Sequence, residues 1–221
     1  MFKKKPFLYA GISGVLAIVI SIFFTIAGMF IFPEFFSIIN SAFYLVFSIY
    51  FIYGFYYLGL KYKDKFLSIV SCAGIFLILI VSLGLLIFNG PISRDAEQFN
   101  ITYSQQQIVL DNLNATNASA AQIAVLEEKM AGALFDFITP YLIAFLVIFI
   151  FWVIAFILFN VALIRLKKVN YAKITGIIGL VSIGLTITII GIFLAIPLMI
   201  AYYVMLIIIL FNEAKKFKEY R

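Results

Sequence analysis

Among the polar side chains of this chain, one set is spaced to act together: Ser37, Ser41, Tyr44 and Ser48, with Asn40 beside them. Residues three and four apart share a helix face, so these groups form one stripe of neutral hydrogen-bonding side chains. Such a stripe can line a path for a small polar solute. It can equally bond one membrane helix to another through hydroxyls and small residues. Tyr50, Tyr53 and Tyr57 continue as an aromatic stripe of the kind found where a helix meets the membrane–water interface. Ser13, Ala17, Ser21 and Thr25 recur every four residues and make a small-residue seam that lets another backbone come close.

Reactive chemistry is hard to assemble from what remains. The chain has no histidine, which removes imidazole bases, imidazole metal ligands and His-ligated haem together. Its one cysteine, Cys72, lies in an apolar stretch and has no partner for an intrachain disulfide. Glu34 and Asp136 stand at the ends of apolar runs, where a carboxylate suits a helix N-terminus. Asn160 and Asn212 fall near helix ends, where they are expected to bond to backbone. No catalytic, cofactor-binding or metal-ligating set emerges, and the protein reads as non-enzymatic.

The elements that must position these residues are marked by missing charge. No charged residue occurs between Lys5 and Glu34, Glu34 and Lys61, Lys65 and Arg94, or Asp136 and Arg165. Each gap exceeds the roughly 20 apolar residues that cross a bilayer. The first gap is also too long for a signal-peptide core and is read as a retained helix. The last uncharged run, residues 174–212, would be about 58 Å long as one helix, nearly twice the hydrocarbon thickness. It must fold back, and the expected break is the stretch holding Gly191 and Pro197.

The expected fold is therefore an all-α, polytopic membrane protein with six transmembrane helices arranged as three hairpins. Residues 1–88 hold the first three helices, 89–136 an extracytoplasmic loop, and 137–221 the last three with a basic tail.

Sidedness follows from Lys and Arg. Fourteen of the sixteen lie in four clusters: Lys3 to Lys5; Lys61, Lys63 and Lys65; Arg165, Lys167, Lys168 and Lys173; and Lys215, Lys216, Lys218 and Arg221. Six crossings place all four on one side, the cytoplasm, with both termini. Clusters beside apolar runs are topology signals, so the +6 net charge does not imply a nucleic-acid partner. Membrane lipids are the expected surroundings, with a membrane-protein partner or a homo-oligomer as candidate assemblies in the cell membrane.

The 89–136 loop carries three Asn-x-Ser/Thr sequons, at Asn100, Asn114 and Asn117, on the side where glycosylation would occur. It should be partly helical, with Ser104 capping a turn that begins at Gln105 and Ser119 capping a second helix. Ile123, Leu126, Met130, Leu134 and Phe137 lie near one face of that second helix.

An internal repeat is legible as well. Tyr9-Ala10-Gly11-Ile12-Ser13-Gly14 matches Tyr171-Ala172-Lys173-Ile174-Thr175-Gly176, and each helix then reaches a proline, Pro33 or Pro197. Ile157-Leu158-Phe159-Asn160 recurs as Ile209-Leu210-Phe211-Asn212. Three hairpins of shared orientation follow, in contrast to the inverted repeats of many transporters. With its glycine-marked helices and the stretch Lys173-Ile174-Thr175-Gly176-Ile177, the chain resembles an uncharacterised family of small archaeal multi-span membrane proteins. That resemblance implies no activity, cofactor or site.

Two functions fit these observations. One is a non-enzymatic scaffold or accessory subunit. The other is a transporter or channel for a small neutral or lipid-like substrate, for which the second-helix stripe would have to face a cavity.

Overall fold

The computed structural model describes residues 5–30, 33–115, 120–186 and 189–216, and every regular element among them is an α-helix. In chain order these are α1 (Lys5–Phe30), α2 (Pro33–Tyr62), α3 (Lys65–Ala115), α4 (Ala120–Arg165), α5 (Ala172–Thr186) and α6 (Ile189–Lys215). Five of them contain stretches long and apolar enough to cross a membrane, while α5 is a shorter apolar helix of 15 residues.

Local chemistry explains several boundaries. Pro33 opens α2 at the first helical position, where its fixed φ fits and its missing N–H costs nothing. The other end of α2 turns through Lys63, held at φ 57°, with the Asp64 amide donating to the Gly59 carbonyl at 2.9 Å. That is a left-handed helix stop. Asp64 then caps α3, its Oδ1 accepting from the Leu67 amide at 2.9 Å. A Cβ on Gly59 would strike the Ser68 hydroxyl and come within 2.7 Å of the Ser68 amide nitrogen, so only glycine lets this turn close.

Two expected boundaries fall elsewhere. Helix α3 continues through Pro91 and Ser104, so Ser104 is not a cap. Ser104 is exposed and precedes three glutamines, and a serine that faces solvent inside a run of helix formers does not stop a helix. Ser119 lies outside the described residues. Helix α6 likewise runs through Gly191 and Pro197. Gly191 is buried, so it serves packing there, and membrane helices tolerate an internal proline when neighbours re-satisfy the freed backbone groups. Helices α5 and α6 are separate elements packed on each other, and the expected break at Gly191 and Pro197 lies inside α6.

The helices form two compact units, Met1–Ser82 with Phe151–Arg221, and Leu83–Ile150. In the first, α1 packs on α2 and α6, and α5 on α6. Its core gathers Phe7 of α1, Phe55 and Leu58 of α2, Leu67 of α3, Leu163 of α4 and Leu210 of α6, all essentially inaccessible. Helices α1 and α2 touch so closely that a Cβ on Gly54 would strike that of Ala10, the small-residue contact typical of membrane helices. In the second unit Phe99 of α3 stacks on Phe137 of α4 with ring centroids 4.7 Å apart.

Candidate functional site

The stripe on α2 does not stay on one kind of surface. Ser48 is buried, Asn40 is half-buried, and Ser41 and Tyr44 are exposed, Tyr44 by 53%. The side chain of Ser37 lies outside the description. Asn40 adds a buried Oδ1 that has no hydrogen-bond partner. Among the described members of the stripe, Ser41 and Tyr44 thus reach the surface of the first unit and Ser48 its core. Within an apolar helix, exposed hydroxyls favour contact with another polar-bearing helix over contact with lipid tails.

Of the sequon residues, Asn100 is exposed on α3. Asn114 sits in the last turn of α3 with its side chain outside the description, and Asn117 lies outside the described residues altogether.

The densest polar constellation is one that the sequence alone did not single out. Glu213, its side chain 1% exposed, accepts from Lys61 Nζ at 2.6 Å and Lys216 Nζ at 2.5 Å. It also accepts from the Tyr62 hydroxyl at 2.8 Å. The Phe7 ring of α1 lies against the Lys61 ammonium at 5.2 Å, in cation–π range. The carboxylate therefore ties α2 to α6 at one end, and Phe7 brings α1 against the same lysine. Burial works against the Lys216 ammonium, but the hydrogen bond and charge of Glu213 outweigh it and raise its pKa above the ordinary lysine value.

A carboxylate saturated by three donors is a structural clasp and not a free base. Its signal was present in the sequence. Glu213 is one of the few acids on the lysine-rich side of the apolar runs, three residues before Lys216, and so needed a cation.

A second lock lies between α4 and α5. Asn160 is fully buried and donates from Nδ2 to the Phe156 carbonyl at 2.8 Å, the backbone bond expected for it. A Cβ on Gly179 would overlap the Asn160 carboxamide, and one on Gly176 would come within 2.6 Å of the Asn160 carbonyl oxygen. Among the described residues no group of three His, Cys, Asp or Glu side chains converges as a metal site. No protein-family model, curated protein or solved structure matches the chain.

Proposed function

We propose that this chain is a multi-pass protein of the cell membrane that acts as a non-enzymatic scaffold or accessory subunit, holding another membrane helix against α2. The observation that carries this reading is the exposure of Ser41 and Tyr44 on α2. A transport path through one chain would turn those groups inward. A helix-binding face turns them outward, where hydroxyls that both donate and accept can bond to a second copy or to a different subunit.

The topology that goes with this function has six crossings, three hairpins, and both termini in the cytoplasm, with the sequon-bearing segment outside. Five apolar helices support it, and α5 supplies the sixth crossing as a short one. The repeat is supported locally. The Ser13 hydroxyl donates to the Tyr9 carbonyl at 2.8 Å, and at the matching position the Thr175 hydroxyl donates to the Tyr171 carbonyl at 2.8 Å.

The test is a photo-crosslinking residue at position 44 in membranes. Adducts to a second copy or to another membrane protein are the expected result. Adducts to lipid alone, together with solute flux through the purified chain in vesicles, would replace the scaffold by a transporter.

A further inference from the structure

The cations at the lysine-rich helix ends, alike in the sequence, are not alike in the fold. Lys61 and Lys216 are taken up by Glu213. Lys63 and Lys65 at the turn from α2 into α3, Arg165, Lys167 and Lys168 where α4 leads to α5, and Lys173 at the start of α5 are all exposed. Among the described residues none of these six has a carboxylate within ion-pair distance. Asp64, the one acid within these two segments, is turned to the Leu67 amide, accepting through Oδ1.

The two segments meet in space. Arg165 places its guanidinium 5.1 Å from the centre of the Phe66 ring, the residue next to Lys65. Leu67 of α3 shares one core with Leu163 of α4 and Ala172 of α5. The ring holds the guanidinium without neutralising its charge, and the guanidinium fork suits a phosphate. Like charges gathered in this way repel one another unless an anion sits among them. Lys65 and Lys173 also stand in the first turns of α3 and α5, where a cation opposes the helix dipole and an anion relieves it.

The surface beside each cation separates a lipid from a soluble anion. Along α3, Lys65 is followed by Ile69, Phe76 and Ile80; along α4, Arg165 is preceded by Val161, Leu158 and Ile154; along α5, Lys173 is followed by Ile177 and Val181. All eight apolar side chains are exposed. Steps of three, four and seven keep each row on the helix face of its cation. Three times over, a cation stands at the head of an apolar row, as a phospholipid with its charged head and its chains requires.

We propose that this patch binds an anionic phospholipid. Its headgroup phosphate lies among Lys65, Arg165 and the lysines of the α4–α5 linker, and its acyl chains lie along the apolar rows of α3 and α4. The patch is at the far end of α2 from Ser41 and Tyr44, so its test does not depend on a helix partner.

Dioctanoyl phosphatidylglycerol is the probe, titrated by calorimetry into the full chain purified in an uncharged maltoside detergent, with dioctanoyl phosphatidylcholine as the zwitterionic control. Saturable binding is expected for phosphatidylglycerol, weakening as salt is raised, and not for phosphatidylcholine. Arg165→Gln should weaken it about 5-fold, and Lys167→Gln combined with Lys168→Gln about 25-fold, one such factor for each charge near a lipid surface. Lys129→Gln, the same change at an exposed position of the second unit, should leave it unchanged. Both linker lysines are exposed, so their double variant should keep the parent melting temperature without lipid.

Equal binding of the two lipids, or phosphatidylglycerol binding that the double lysine variant leaves unchanged, overturns the site. Glycerol phosphate carries the phosphate without the chains and should bind far more weakly. If it binds as tightly as the lipid, the patch belongs to a soluble phosphate and the lipid site is refuted.

Discussion

Lys61 at the end of α2 and Glu213 near the end of α6 meet at 2.6 Å, and this pair ties together two helices far apart in the chain. Removing one member of a buried pair leaves its partner's charge uncompensated. Glu213→Gln should therefore cost on the order of 3 kcal/mol, read as a lower melting temperature in detergent. Lys216→Ala, whose side chain is 35% exposed, should cost less than about 1 kcal/mol. Replacing Lys61, Glu213 and Lys216 together by methionine should recover most of the loss, because the desolvation of all three charges disappears with them. The pH response has a defined sign. With the Lys216 pKa raised on folding, its contribution is complete below the ordinary value of 10.5 and fades only as pH climbs through the raised one.

The Gly179–Asn160 contact gives a test of packing. Gly179→Ala forces its methyl into the Asn160 carboxamide and should destabilise by about 1–3 kcal/mol. Adding Asn160→Ala makes room for that methyl, so the double variant should be more stable than the sum of the two single losses predicts. A double-mutant cycle on melting measures this coupling, and strict additivity would show that the two residues do not share the space.

Legibility in the sequence followed from what each residue reports. Charge-free runs locate the helices because a charge in hydrocarbon is costly, and Pro33 marks a start because its ring fits a first turn. The same residue type misleads at Pro197, which lies within α6, because a helix supported by its neighbours can lose one backbone bond and continue. The Glu213 clasp was hidden for another reason: Lys61 and Lys216 were fully explained as topology signals, and a pairing across a long stretch of chain has no local pattern. The bond that the Tyr141 hydroxyl donates to Asp95 depends on how α3 and α4 face each other, which spacing within either helix does not specify.

Lys63 stands in the left-handed region at φ 57°, where a Cβ is crowded. Lys63→Gly should stabilise the α2–α3 turn by roughly 0.5–1 kcal/mol, even though it discards a charge. Gly59→Ala in the same turn should do the reverse, since its methyl meets the Ser68 amide and hydroxyl. Melting of the two variants side by side checks both signs.

Sidedness can be read with a single reporter. In a Cys72→Ala background, Gln107→Cys on the exposed surface of α3 should react with a membrane-impermeant maleimide added to intact cells. A cysteine at Lys63 should react only after the membrane is opened. The opposite pattern would invert the topology.

The α2 face decides between the two functions because one substitution has different consequences in each. Ser41 and Tyr44 are exposed in the single chain, so Ser41→Leu adds apolar surface where lipid or a partner lies, and the isolated chain should melt unchanged. On a helix-binding face that leucine overfills a close contact and should cost about 1–3 kcal/mol of association, or roughly 5- to 150-fold in the association constant. Tyr44→Phe removes one hydroxyl and should cost nearer 0.6 kcal/mol, the average for a hydrogen bond between membrane helices. Crosslinking yield at a neighbouring position, measured against lipid-to-protein ratio, reports both. If Ser41→Leu instead leaves crosslinking intact and stops solute flux in reconstituted vesicles, the stripe lines a path and the scaffold function is refuted.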